Sequence, residues 1–163
     1  MKKTLLVSAL FFASAFCLQA ETVHQTSPGA AAYKGDGSNA VKSGLMETKT
    51  IKDVAVARVA GSMSQWGFVT YWMGLRTPPG ASVVRVRVFN TGEPAAGYAV
   101  YISGGSKDSL GKLDIPAGSP ANSFVNIDIP VSLEKEWSGI VIKKTTKDQL
   151  PGPWIESVSV VLN

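Results

Sequence analysis

Cysteine and histidine are almost missing from this sequence: one of each stands among 163 residues. The lone Cys17 excludes a disulfide-stapled scaffold. Together the two counts exclude a zinc centre built from Cys and His. His24 lies four residues beyond a predicted cleavage point, in a polar stretch. A general base needs a fixed position and a partner, so Ser-His-Asp and Cys-His catalysis have nothing to stand on. Clustered basic charge is also absent, with no run beyond Lys143-Lys144. Nucleic-acid binding leaves a denser footprint than this. After Leu18 no apolar run is long and charge-free enough to span a bilayer. The composition is 45% hydrophobic and 17% charged, which excludes an intrinsically disordered chain. This length suits one domain with a sizeable core.

The first twenty residues read as a targeting segment. Met1-Lys2-Lys3 supplies positive charge, Thr4 to Leu18 is uncharged and apolar, and Ala20 offers a small residue at the cut. This is a signal peptide, with the mature chain starting near Glu21. Phe16 before Cys17 does not match a lipoprotein signal, so Cys17 leaves with the peptide and the mature chain has no thiol. Loss of Lys2 and Lys3 lowers the net charge from +4 to +2. The expectation is a secreted or periplasmic protein.

Residues 21–45 are poor in large apolar side chains and read as a loose N-terminal segment, or as loops around one short strand. Residues 46–163 read as a β-sandwich domain. Eight strands are expected, over 51–60, 67–75, 82–89, 98–103, 109–115, 123–131, 138–144 and 155–162. Val84, Val86 and Val88 alternate with Arg85 and Arg87; Val125, Ile127, Ile129 and Val131 alternate with Asn126 and Asp128; Val158 and Val160 alternate with Ser157 and Ser159. Period two with one polar face marks antiparallel sheet with one side in the core. Pro78-Pro79-Gly80, Asn90-Thr91-Gly92, Ser103-Gly104-Gly105, Pro116-Ala117-Gly118 and Pro151-Gly152-Pro153 are the turns between. A single helical turn fits only Leu133 to Trp137. The fold class is all-β: a two-sheet antiparallel sandwich of about eight strands with almost no helix.

Val69-Thr70-Tyr71-Trp72, Pro78-Pro79-Gly80 and Val84-Arg85-Val86-Arg87-Val88 come in that order. Tyr98-Ala99-Val100-Tyr101, Trp137-Ser138-Gly139-Ile140-Val141-Ile142-Lys143 and Pro153-Trp154-Ile155 follow. In these features residues 46–163 resemble the galactose-binding-like jelly roll, the family that holds many carbohydrate-binding modules. The resemblance implies two face-to-face sheets, often a structural calcium and often a sugar ligand. It places no binding residue by motif. Asp36-Gly37-Ser38-Asn39 offers oxygen ligands that calcium accepts, but these residue types equally make a plain turn.

Aromatic residues are the informative candidates, because flat rings stack on the apolar C–H faces of sugars. Val69, Tyr71, Met73 and Leu75 make the more apolar face of their strand, which turns Trp72 outward. Arg85 and Arg87 point outward on the next strand, and Tyr101 on the one after. If these strands are neighbours, Trp72, Arg85, Arg87 and Tyr101 share one sheet face and suit a chain of linked sugars, acidic ones above all. Otherwise Trp72 belongs to the core, with the arginine stems covering it. Three more tryptophans sit at strand ends. Trp66, beside Gly67 in a polar stretch, joins the ligand set, while Trp137 and Trp154 are expected to plug the sandwich. The carboxylates Asp114, Asp128, Glu134 and Glu136 read as solvated surface acids, and nothing pairs them in a cleft. The expected function is an exported, non-catalytic module for a polysaccharide or glycan. The alternative is a structural or protein-interaction protein of the cell envelope.

Overall fold

The computed structural model describes residues 21–26, 32–33, 38–77, 80–103, 108–133 and 136–162. Eleven strands and no helix stand among them. They are β1 (Glu21–Thr26), β2 (Ala32–Tyr33), β3 (Met46–Ile51), β4 (Val54–Val59), β5 (Phe68–Thr77) and β6 (Gly80–Asn90). Then come β7 (Tyr98–Ile102), β8 (Gly111–Lys112), β9 (Ser123–Leu133), β10 (Trp137–Lys144) and β11 (Trp154–Leu162). All pairings are antiparallel.

Two sheets result. One runs β3-β4-β11-β6-β9, with β1 also paired to β11; the other runs β2-β5-β10-β7-β8. Their inner faces meet through Val84, Val86, Val88, Ile127, Ile129, Val158 and Val160 from the first sheet and Val69, Tyr71, Val100, Ile140 and Ile142 from the second. The members from the first sheet, with Val69 and Tyr71 from the second, are inward as the period-two pattern predicts. Ile127→Ala removes a buried side chain from this layer and should cost about 2–5 kcal/mol, read as a lower denaturant midpoint. A loss under ~1 kcal/mol would place Ile127 outside the packed core.

The N-terminal part differs from expectation. Residues 21–45 are not loose throughout: β1 pairs with β11 from Glu21↔Leu162 to Thr26↔Val158, and β2 pairs with β5. The polar sequence of β1 joins through backbone hydrogen bonds, which carry no hydrophobic signature. The expected strand 51–60 is the second arm of a hairpin, β3–β4. Its turn residues Lys52 and Asp53 have φ of 50° and 63°. Two positive φ values make the type I′ turn that matches strand twist, although Asn-Gly is its usual sequence. The run 109–115 pairs only at Gly111–Lys112. The expected helical turn at Leu133 to Trp137 falls between the end of β9 at Leu133 and the start of β10 at Trp137, and residues 134–135 lie outside the described residues.

Asp36 and the first twenty residues lie outside the described residues, so the targeting segment and the full Asp36–Asn39 loop are not seen. Asn39 Oδ1 accepts from the Val41 and Lys42 amides at 3.1 and 3.0 Å, which is turn chemistry.

Candidate functional site

The sheet order separates the residues expected to share one face. Trp72 lies on β5 in the five-stranded sheet; Arg85 and Arg87 lie on β6 in the six-stranded sheet. β5 and β6, consecutive in sequence, therefore belong to different sheets and do not pair as a hairpin. Outward is the correct direction for both sets, but they point out of opposite sides of the sandwich.

The arginines are also committed. Arg85 binds Asp128 in a two-pronged pair, Nε to Oδ1 and Nη2 to Oδ2, both at 2.7 Å. This hydrogen bonding holds the Asp128 carboxyl below its usual range and lifts Arg85. The pair's contribution is present above the ordinary aspartate range and fades as pH falls through the lowered pKa of Asp128. Arg87 Nε meets Glu156 at 2.8 Å. On this side Val56, Phe89 and Trp154 form a second buried cluster. Lys49 and Arg58 cover the Trp154 ring at 4.1 and 4.3 Å, and Arg87 lies 5.2 Å from the Phe124 ring. A hollow of about 300 Å³ opens beside Trp154, but the indole itself is buried. Trp137 is buried in the main core, so both of these tryptophans serve packing.

The outer face of the five-stranded sheet is different. Along β5, Phe68 and Trp72 are 37% and 44% exposed while Val69 and Tyr71 are fully buried. Cross-strand pairs fix the neighbours: Trp72 opposite Gly139, Thr70 opposite Val141, Val141 opposite Tyr101, and Phe68 opposite Lys143. Gly139 is needed where it stands. A Cβ there would come within 3.2 Å of Trp72 Cε3 and 3.0 Å of the Ser103 Cβ. The missing side chain lets the indole lie against the neighbouring strand. Phe68 and Trp72 are four residues apart, about 13 Å along the strand.

Trp66 adds a third exposed ring, at 55%. Its φ is +68°, an uncommon region for a bulky residue and a sign of local constraint. The constraint comes from β10. The Trp66 amide donates to the Lys144 carbonyl at 2.9 Å, and the Lys144 amide to the Gly67 carbonyl at 2.9 Å. Gln65 Nε2 donates to the Thr145 carbonyl at 2.9 Å. An open hollow of about 450 Å³ lies along this turn, lined by Leu45, Met63, Gln65, Trp66 and Phe68. The Lys143 ammonium sits 5.3 Å from the Trp66 ring and 5.5 Å from the Tyr101 ring.

The structure therefore brings together Trp66, Trp72 and Tyr101 from the expected set and leaves Arg85 and Arg87 out. It adds Phe68, Gly139 and Lys143. Gly139 was visible as a glycine inside a strand pattern, a mark of close approach. Lys143 was visible as the outward member of the Ile140-Val141-Ile142-Lys143 alternation. Among the described residues no cluster of three or more His, Cys, Asp and Glu is placed to hold a metal. Asp114 and Glu136 are exposed, and Glu134 lies outside the described residues. No described helix is long and apolar enough to cross a membrane.

Comparison with solved structures leads to the same two-sheet sandwich. A family 35 carbohydrate-binding module from Clostridium thermocellum superposes with a TM-score of 0.59 at 12% identity, covering 86% of this chain and 99% of that one. The chain has the jelly-roll fold of these modules. A family 6 module from Cellvibrio mixtus lichenase, solved with cellotriose, gives 0.58 at 14% identity over 88% of this chain and 99% of that one. The C-terminal family 6 module of a laminarinase from Zobellia galactanivorans gives 0.56 at 13% identity over 84% and 97%. No protein-family model and no curated protein matches the sequence. The two-sheet antiparallel jelly roll expected from sequence is thus the observed fold.

Proposed function

We propose that this chain is an exported, non-catalytic carbohydrate-binding module whose ligand lies across the outer face of the five-stranded sheet. The observation that carries the reading is the row of exposed rings, Trp66, Phe68 and Trp72, flanked by Thr70, Tyr101 and Lys143. Exposed aromatic surface of this kind marks an interaction site. Trp and Tyr offer an apolar face with a polar tip, which suits a sugar's C–H face and hydroxyls. The span from Phe68 to Trp72 fits a run of linked sugars better than a single ring. The module fold of the solved neighbours supports the same reading. The leader that ends at Ala20, with Lys2 and Lys3 ahead of an uncharged apolar run, supports export. A protein partner on this face is the competing reading.

Trp72→Ala tests the proposal. Binding of the mature chain to a polysaccharide panel is measured by titration calorimetry, beside a thermal melt. A central anchor residue carries about 2 kcal/mol or more, so affinity should fall about thirtyfold with the melting temperature nearly unchanged. Unchanged glycan affinity in a folded variant would move the site elsewhere. A panel on which the unaltered chain binds nothing would transfer the face to a protein partner.

A further inference from the structure

The two sheets differ in charge as well as in aromatic exposure. Every strand Asp or Glu among the described residues belongs to the six-stranded sheet: Glu21, Glu47, Asp128 and Glu156. The five strands of the other sheet carry Arg76, Lys112, Lys143 and Lys144, and no acid. On the acidic sheet Arg58, Arg85 and Arg87 each pair with a carboxylate. Lys143 instead packs against two rings and makes no ion pair with any described residue. Glu136, just before β10, stands seven residues from Lys143, about 23 Å along the strand.

We propose that this face selects an anionic polysaccharide, with Lys143 as the residue that reads the charge. The inference rests on the reading of the face as a carbohydrate platform. The rings of Trp66 and Tyr101 hold the ammonium at the level of the platform by cation–π attraction. An ammonium held there keeps its donors for the ligand, a uronate carboxylate or a sulfate ester. Phe68, in register with Lys143, stacks a sugar beside that charge, and Trp72 stacks another about 13 Å along the strand. A neutral glycan would gain the stacking and leave the ammonium without a counter-charge.

The test uses the mature chain and matched polymers: polygalacturonate, alginate, glucuronoxylan and carrageenan, each beside its carboxyl-reduced or desulfated form. The unaltered chain should bind at least one anionic member about tenfold more tightly than its neutral form, and weaken as salt rises from about 0.05 to 0.3 M. The carboxylate and sulfate members show which anion is read. Lys143→Gln should bring affinity for the anionic member down to that for its neutral form, and Lys143→Arg should keep the preference. Lys143 is partly exposed, so both variants should melt as the parent does. Equal affinity for charged and neutral members, or an anionic preference that survives Lys143→Gln, overturns the inference and leaves the platform standing. Glycan binding that survives Trp72→Ala, or no binding to any member, overturns the platform and the inference with it.

Discussion

Lys144→Met should cost about 2–4 kcal/mol, with a clear fall in the denaturant midpoint. Lys144 ends β10 and is fully buried, which is rare for a lysine without partners. Its ammonium donates to the Asp148 carbonyl at 2.6 Å and the Leu150 carbonyl at 3.3 Å, and Asp148 Oδ1 lies 3.6 Å away. Methionine keeps most of the stem's volume and deletes the donors. An acceptor stripped of its donor costs about 1–3 kcal/mol where it stays buried, and these contacts are part-buried, which sets the lower end of the range. Lys144→Ala adds a cavity and should cost more. The Asp148 carboxyl sits below its usual range through the Thr146 hydroxyl first, then the Leu150 amide and Lys144, so the turn keeps some of its own bonds. The effect should reach the site, because the Lys144 backbone also clamps Trp66 and Gly67. Tryptophan emission should therefore shift with the loss of stability. A Met variant as stable as the parent would show that the ammonium does not hold this turn.

The same turn shows where sequence reasoning stops. Alternation of Val84 with Arg85 and of Ile127 with Asp128 tells which side chains face inward, since a one-residue slip would expose the whole set. It does not tell which sheet a strand joins. Arg85, Arg87 and Trp72 all point outward as read, yet β5 and β6 lie in different sheets. A hairpin link and a link between sheets both need a short turn, and Pro78-Pro79-Gly80 serves either. The exposed Trp66 owes its place to backbone bonds with β10, nearly eighty residues away. Trp154 was read as a plug of the sandwich, but it packs on the outer side of the six-stranded sheet, opposite Phe89. Strand parity gave the direction of each side chain, while the neighbours came from long-range pairing.

Alkaline pH should unfold the chain through two tyrosines. Tyr71 and Tyr98 are almost wholly buried, and burial pushes both phenols far above their usual range. The nearby Asp148 charge pushes Tyr98 further in the same direction. In the unfolded chain both ionise near pH 10. Above that pH the unfolded state has lost protons that the folded state keeps. Stability therefore falls as pH rises, by about 1.4 kcal/mol per pH unit for each phenol and about twice that for the pair. A domain of ordinary stability, about 5–15 kcal/mol, has little left after a few units of such loss. Absorbance at the phenolate band should show Tyr71 and Tyr98 titrating only as the sheets come apart. The two positions separate by substitution. Among the described residues Tyr71 Oη reaches the Met46 sulfur, at 3.9 Å, and Tyr98 Oη is buried with no hydrogen-bond partner. Tyr98→Phe removes an unpaired polar atom, so it should be neutral or stabilising at pH 7 and should raise the alkaline midpoint. Tyr71→Phe should also raise that midpoint by removing one ionising group. Phenols that all titrate together near pH 10 while the far-ultraviolet spectrum stays native would mean that Tyr71 and Tyr98 are open to water.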